Sequence, residues 1–155
     1  MRRFTMNIVL AVAFLPRVLV AQHAETTAIL ATVDRFADAL RAKDSVAMRA
    51  ELHEQARFTL LRPPGGPVEV MVFDAGSFLA AVTAPATPVL DEVIRNPQVA
   101  VDADLATVWA EYQVRINGAL SHCGYNAFHL VRQRGTWRIL NVSDTARQEG
   151  CGAIW

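Results

Sequence analysis

The stretch that decides the fold is Ala106-Thr107-Val108-Trp109-Ala110-Glu111-Tyr112-Gln113-Val114-Arg115-Ile116, in which apolar and polar residues alternate. The even-numbered residues of this stretch are apolar or aromatic, and the odd-numbered residues are largely polar. Period two over this length predicts a β-strand with one buried face, on which Tyr112 points inward. Asn117-Gly118 follows directly, and this pair favours the tight turn of a β-hairpin.

Further strands are predicted on both sides of this stretch. Downstream, we expect strands over residues 123–132 and 137–142, separated by the turn Gln133-Arg134-Gly135. Upstream, the turn signal Arg62-Pro63-Pro64-Gly65-Gly66-Pro67 separates two short strands, at residues 58–61 and 68–73. A strand from Val89 to Ile94 is interrupted by Asn96-Pro97 and resumes at Val99.

Helical spacing dominates the first half of the chain. From Glu25 the apolar residues Ile29, Val33, Phe36 and Leu40 recur at helical intervals. Asp44 or Ser45 is suited to cap a second helix running to about Leu52, and Asp74 is suited to cap a third that contains Phe78, Leu79 and Val82. Helices gathered early and strands gathered late predict an α+β fold, with helices covering one face of a curved antiparallel sheet.

Composition narrows the class of protein. The 155 residues are 52% hydrophobic and 19% charged, which is enough apolar material for one well-packed domain. Lysine plus arginine and aspartate plus glutamate number 15 each, so the formal net charge is zero. A balanced charge argues against nucleic acid as a partner, because nucleic-acid recognition usually leaves a clustered basic excess.

The N-terminus is typical of a secretory signal peptide. Arg2 and Arg3 precede an apolar run from Ile8 to Leu15, and Val20-Ala21-Gln22 offers a cleavage site after Ala21. Residues 1–21 are therefore predicted to be the signal peptide and 22–155 a single domain in the periplasm or outside the cell. The alternative is an uncleaved anchor, but the apolar run is far short of the roughly 20 residues that span a bilayer. No stable membrane insertion is expected after cleavage.

The two cysteines agree with export. Cys123 and Cys151 can form one disulfide in an oxidising compartment, and this would tie a central strand to the C-terminal tail. Closing a loop of this size stabilises a fold by roughly 3 kcal/mol in the chain-entropy model. Two free thiols in a reducing cytosol, or one nucleophilic cysteine, are the alternatives.

Three stretches resemble the nuclear transport factor 2-like superfamily, in its small bacterial SnoaL-like (polyketide-cyclase-like) branch. They are the opening helix followed by Lys43-Asp44-Ser45, the segment Ala56-Arg57-Phe58, and the run from Ala127-Phe128-His129 through Gly135-Thr136-Trp137. The resemblance implies a cone-shaped fold in which about three N-terminal helices pack on the concave face of the sheet. It also implies a deep pocket and often a homodimer through the outer face of the sheet.

Enzymes of that superfamily use a carboxylate, or a histidine with a carboxylate, as a general base in an apolar pocket. The catalytic candidates are Asp144, whose alternative is a turn or an ion pair with Arg147, and His53, whose alternative is a solvated helix end. Candidate ligand-binding residues are Tyr112, Asn126 and Phe128. The other polar candidates are Asp91, His122 and His129.

No metal or cofactor is expected. His122 and His129 are seven residues apart and so face opposite sides of a regular strand, and the sequence lacks the usual zinc, nucleotide and nucleophile motifs. Trp109, on the polar face of its strand, suits a dimer interface, although a single exposed tryptophan is also common. The leading hypothesis is an exported domain that binds a small apolar molecule. The alternatives are a cofactor-independent isomerase, dehydratase, cyclase or hydrolase, and a dimeric interaction module.

Overall fold

A computed structural model describes residues 15–62 and 68–153 of the chain. The helices of this part are α1 (Leu15–Arg41), α2 (Ser45–Glu51) and α3 (Ala75–Thr83). The strands are β1 (Leu52–Arg62), β2 (Glu69–Asp74), β3 (Asp91–Asp102), β4 (Leu105–Ile116), β5 (Ala119–Gln133) and β6 (Thr136–Thr145). The predicted α+β class is confirmed.

The six strands form one sheet in the order β2-β1-β6-β5-β4-β3, so β2 and β3 lie at its edges. The chain-adjacent pairs β1–β2, β3–β4, β4–β5 and β5–β6 are antiparallel, as the turn signals predict. The pairing of β1 with β6 is parallel, which the sequence analysis did not anticipate. This pair joins the first strand to the last, and because the two strands are parallel, their C-terminal ends lie side by side at the same end of the sheet.

The helices cover one face of this sheet and close a hydrophobic core against it. The stripe predicted on α1 is buried, with Ile29 fully buried and Leu40 at 5% exposure. It packs in one cluster with strand residues such as Phe58, Phe128 and Leu130. Burying a side chain of this size contributes about 2 kcal/mol each.

Both predicted helix caps are present. The side chain of Asp44 accepts hydrogen bonds from the backbone N–H groups of Val46 and Ala47, at 3.0 and 2.9 Å. The side chain of Asp74 accepts one from the N–H of Ser77 at 2.7 Å. Each cap satisfies donors that the first helical turn leaves unpaired, which is typically worth about 1 kcal/mol.

Several predicted boundaries were wrong. Helix α1 begins at Leu15 rather than near Glu25, and Pro16 is compatible with this because first-turn N–H groups have no partner within the helix. The second helix ends at Glu51, so His53 lies in β1 and does not close a helix. The predicted signal peptide falls partly on residues 1–14, which lie outside the described residues, and it stays a prediction.

The predicted break at Asn96-Pro97 is a bulge within a continuous β3. The register with β4 shifts between Arg95 and Gln98, and Asn96 adopts a positive φ of 49°. Proline cannot donate to the strand ladder, so the chain places it where pairing is interrupted and then resumes.

The C-terminal tail is held against the outer face of the sheet. Cys123 and Cys151 form the predicted disulfide. Gln113 was expected on the exposed polar face of β4, but it is fully buried. Its side-chain amide donates hydrogen bonds to the carbonyl groups of Cys151 and Ala153 in the tail, at 2.9 and 3.0 Å. The tail therefore covers Gln113 and accepts its hydrogen bonds, and strand alternation alone could not predict this contact.

Candidate functional site

A cavity of about 150 Å³ lies between helices α1 and α3 and the inner face of the sheet. Ten apolar side chains line it: Phe36, Leu40, Phe58, Leu60, Phe78, Val82, Leu90, Val114, Phe128 and Val142. Six polar side chains complete the lining: Arg62, Glu92, Tyr112, His122, Asn126 and Asp144. An apolar cavity with a few convergent polar groups is the usual form of a small-molecule site.

Stacked aromatic rings form the apolar side of the cavity. Phe58 of β1 and Phe78 of α3 stack almost in parallel, with ring centroids 3.7 Å apart. Phe36 of α1 lies 6.0 Å from Phe58. These rings join two helices to the sheet and exclude water from one side of the site. Charged groups that face such a wall lose hydration, which favours their neutral forms.

Glu92 of β3 presents its carboxyl group to the cavity. Its Oε1 accepts a hydrogen bond of 2.6 Å from the side-chain amide of Asn126 on β5. Burial raises the pKa of Glu92 to about 7; the negative charge of Asp144 adds to this rise, while the hydrogen bond from Asn126 opposes it. At neutral pH the carboxyl is therefore close to half protonated, so it is equipped both to accept and to return a proton.

Asp144 of β6 is held in a different way. Its Oδ1 and Oδ2 accept hydrogen bonds from Nη1 and Nη2 of Arg62, at 2.8 and 2.9 Å. The predicted alternative, a local ion pair with Arg147, is wrong, because the parallel pairing of β1 and β6 brings Arg62 alongside instead. A two-point guanidinium–carboxylate pair is directional and fixes both side chains.

Tyr112 of β4 crosses the inner face of the sheet towards β6. Its hydroxyl donates to the backbone carbonyl of Thr145 at 2.8 Å and lies 3.5 Å from Oδ2 of Asp144. Gly124 makes this crossing possible, since an added Cβ there would lie 1.8 Å from the Thr145 oxygen and 2.9 Å from the Tyr112 ring. Burial raises the pKa of Tyr112, so the phenol stays protonated across the neutral range.

His122 of β5 lies beside Tyr112, with the two rings edge to face and their centroids 5.8 Å apart. Its Nδ1 is 3.1 Å from the hydroxyl oxygen of Ser121. Burial lowers the pKa of His122, and the positive charge of Arg62 lowers it further. The imidazole is therefore neutral near pH 7.

The structure brings together four of the five residues proposed for the site. Asp144, Tyr112, Asn126 and Phe128 all line the cavity. His53 is not among the lining residues; its Nδ1 instead accepts a hydrogen bond from the backbone N–H of Gln55 at 3.2 Å.

The other polar candidates divide in the same way. His122 lines the cavity, whereas His129 is exposed, as expected for residues on opposite faces of β5. Asp91 pairs with Arg41 on α1 at the surface.

Two site residues escaped the sequence analysis. Arg62 was assigned to a turn, although it is the last residue of β1. Glu92 was passed over, whereas its neighbour Asp91 was named as a candidate. Alternation was the available signal. Leu90 and Ile94, two positions on either side of Glu92, are partly buried and pack against the core, which places all three on one face.

Two whole-molecule features complete the description. No helix within residues 15–62 and 68–153 has the length and apolarity needed to cross a membrane. Over the same ranges, no group of three or more histidine, cysteine, aspartate or glutamate side chains is arranged to hold a metal ion.

Solved structures establish the class of fold. A protein of unknown function from Mycobacterium tuberculosis is 20% identical, with a TM-score of 0.68 over 83% of this chain and 75% of that chain. An NTF2-like protein of unknown function from Silicibacter pomeroyi is 19% identical, with a TM-score of 0.62 over 81% and 98%. A candidate ketosteroid isomerase from Shewanella frigidimarina is 20% identical, with a TM-score of 0.55 over 76% and 94%.

The chain therefore has the nuclear transport factor 2-like fold, an α+β fold that is also described as cystatin-like. No protein-family model and no curated protein matches the sequence. Because one fold of this kind hosts many activities, the function has to be argued from the cavity itself.

Proposed function

We propose that the protein is a cofactor-independent enzyme of the isomerase type, which moves a proton within a compact, largely apolar carbonyl compound. Glu92 is the general base. The observation that carries this proposal is a buried carboxyl group, held by Asn126 at 2.6 Å and with a pKa of about 7, in the wall of an apolar cavity.

The surroundings of Glu92 suit proton abstraction. Proton transfer is fastest when the pKa of the base lies near the operating pH. Among the described residues, Asn126 is the hydrogen-bond donor to this carboxylate, so Oε1 is fixed in place in the wall of the cavity. A neutral amide orients the base without suppressing its basicity as strongly as a bound cation would.

Asp144, which the sequence analysis named as a catalytic candidate, is less suited to the role of general base. Both of its oxygens accept hydrogen bonds from Arg62, which holds the carboxylate as the partner of a cation. Its contribution to the site is electrostatic, because its negative charge helps to raise the pKa of Glu92. The positive charge of Arg62 acts in the opposite direction and opposes this rise.

The cavity sets the size of the substrate. A cavity of about 150 Å³ is small beside typical drug-sized pockets, which begin at about 300 Å³. Space on this scale holds a molecule of about the size of benzene. A single ring or a short branched chain therefore fits, with its apolar part against Phe58 and Phe78.

The test uses 3-cyclohexen-1-one, whose conversion to the conjugated 2-cyclohexen-1-one is followed by ultraviolet absorbance. The wild-type protein is expected to accelerate this shift, and Glu92→Gln to lose activity by roughly 10²- to 10⁴-fold, the usual contribution of a positioned base. Glu54→Gln, at an exposed position of β1, is the matched control. If the ketone binds but is not converted, the protein is a binding module and the proposal is wrong.

We also propose that the domain works outside the cytoplasm after removal of residues 1–21. The support is the disulfide between Cys123 and Cys151, a bond typical of oxidising compartments. Mass spectrometry of protein from a periplasmic extract should give a chain that begins at Gln22 and is disulfide-bonded. Recovery of the full-length, reduced chain from the cytoplasm would contradict the proposal.

A homodimer through the outer face of the sheet is proposed as well. Trp109 is 46% exposed there and stacks on Tyr125 with ring centroids 5.0 Å apart, an aromatic surface of the kind enriched at interfaces. Light scattering should give the mass of a dimer for the wild type and of a monomer for Trp109→Lys. A monomeric wild type would refute the interface.

A further inference from the structure

Strand register places two proton-handling side chains on either side of one small apolar residue. Val114 of β4 pairs with Glu92 of β3 on one side and with His122 of β5 on the other. All three side chains line the cavity. Because neighbouring strands lie about 4.8 Å apart, the backbones that carry Glu92 and His122 are separated by about 10 Å. A small molecule seated over Val114 would lie between the carboxyl group and the imidazole.

The hydrogen bonding of His122 leaves one ring nitrogen for a ligand. Nδ1 is 3.1 Å from the Ser121 hydroxyl oxygen, while Nε2 has no hydrogen-bond partner among the described residues. If the serine hydroxyl donates to Nδ1, the neutral ring carries its proton on Nε2. The ring is also held in orientation by its edge-to-face contact with Tyr112.

We propose that the Nε2–H of His122 donates a hydrogen bond to the carbonyl oxygen of the substrate, whose α-carbon faces Glu92 across Val114. The substrate class is accordingly a compact, uncharged β,γ-unsaturated ketone with a single carbonyl group near one end. This inference rests on the proposed role of Glu92. It adds His122, on the other side of Val114, as the group that stabilises the carbonyl oxygen of the substrate.

The proton and electrons balance without any further reactant. The Glu92 carboxylate takes the proton from the α-carbon, and the C–H electron pair moves into a new carbon–carbon double bond while the carbonyl π pair moves onto oxygen. The resulting enolate oxygen accepts the hydrogen bond from His122. The protonated Glu92 then returns the proton to the γ-carbon of the dienolate. The β,γ π pair forms the new C–H bond, the α,β double bond forms, and the oxygen re-forms the carbonyl group. His122 remains neutral throughout, and donors preorganised in this way cost no rearrangement when charge develops.

The other donors around the cavity are already engaged. The hydroxyl of Tyr112 donates to the carbonyl of Thr145, and Arg62 donates to Asp144. Arg62 on β1 and Asp144 on β6 act on the charge of the imidazole in opposite directions. Glu92 on β3 and Tyr112 on β4 line the same cavity. His122 is therefore the cavity-facing donor that is best placed to meet a carbonyl oxygen.

The experiment combines turnover of 3-cyclohexen-1-one with binding of phenol, a ring of the same size whose oxygen imitates the enolate. His122→Phe should lower kcat by about 10²- to 10³-fold, the usual effect of losing one such donor, with little change in KM. His122→Gln, which keeps an N–H donor, should recover part of that loss. In ¹⁵N-labelled protein the His122 Nε2 should be the protonated nitrogen at pH 7, and its resonance should shift when phenol binds.

The outcomes separate the two proposals. If the wild type turns over the ketone and His122→Phe retains activity within about threefold, the role of His122 is wrong and that of Glu92 stands. If the wild type is inactive but phenol shifts the Nε2–H resonance, the hydrogen-bonding role stands and the reaction is wrong. If the wild type shows neither turnover nor phenol binding, both proposals are wrong. A proton found on Nδ1 instead of Nε2 overturns the role of His122 by itself.

Discussion

Replacing Glu92 with glutamine tests the buried carboxyl group through stability as well as through activity. Glutamine has nearly the same shape and keeps an oxygen that accepts the hydrogen bond from Asn126. What it removes is the charge. Burial destabilises the ionised form of Glu92. The variant should therefore have a larger free energy of unfolding than the wild type at pH values where the carboxyl group would be ionised.

The magnitude and its sign follow from the pKa of this group. Its ordinary value is 4.5 and its value in the folded protein is about 7. Between these values the folded state binds a proton that the unfolded state has lost, so stability falls as pH rises through this window. At about 1.4 kcal/mol for each pH unit, the loss from this group is about 3 kcal/mol between pH 4 and pH 8. Below pH 4 the contribution of the group is fully present.

The assay is urea unfolding of wild type and Glu92→Gln at a series of pH values from 4 to 8. The free energy of unfolding of the wild type should fall relative to that of the variant by about 3 kcal/mol across the series, with the midpoint of the change near pH 6. Glu54→Gln should follow the wild type. A constant difference between wild type and Glu92→Gln would show that the carboxyl is not buried as described, and the reasoning about the base would fail with it.

Four further variants test the structure around the site. Gly124→Ala should destabilise the fold by about 2 kcal/mol or more, since its Cβ would overlap a backbone oxygen of β6; a melting temperature equal to that of wild type would contradict this contact. Replacing both Cys123 and Cys151 with serine should cost about 3.5 kcal/mol in urea unfolding, given a sequence separation of 28; reduced wild type should match the variant, and a loss below 1 kcal/mol would rule the estimate out. Arg62→Leu should destabilise more than Asp144→Asn, because it leaves a largely buried carboxylate without its cation; chemical denaturation would expose the opposite order.

Much of the fold was predictable because local rules agree with each other. Alternation in residues 106–116 gave the longest clear strand and the inward direction of Tyr112. Asp44 and Asp74 were recognised as helix caps because their side chains satisfy donors only one turn away. Two cysteines in a chain with a predicted export signal indicated the disulfide. Each of these inferences depends on residues that are close in sequence or, for the two cysteines, on the fact that they can pair in only one way.

The candidate site depended on tertiary structure to a larger degree. Phase along β3 decides whether Asp91 or Glu92 enters the cavity, and the pairing of Glu92 with Val114 on β4 places Glu92 on the cavity side. The partner of Asp144 follows from the parallel contact of β1 with β6, which joins residues far apart in the chain.

The sequence by itself determined the α+β class, the helix caps, the disulfide and four of the residues that line the cavity, because periodicity and capping act over a few residues. Only the tertiary structure decided which carboxyl group is buried with a raised pKa and which is the partner of an arginine. That distinction arises from desolvation and from neighbouring charges, and both depend on what the fold brings within a few ångströms of Glu92 and Asp144.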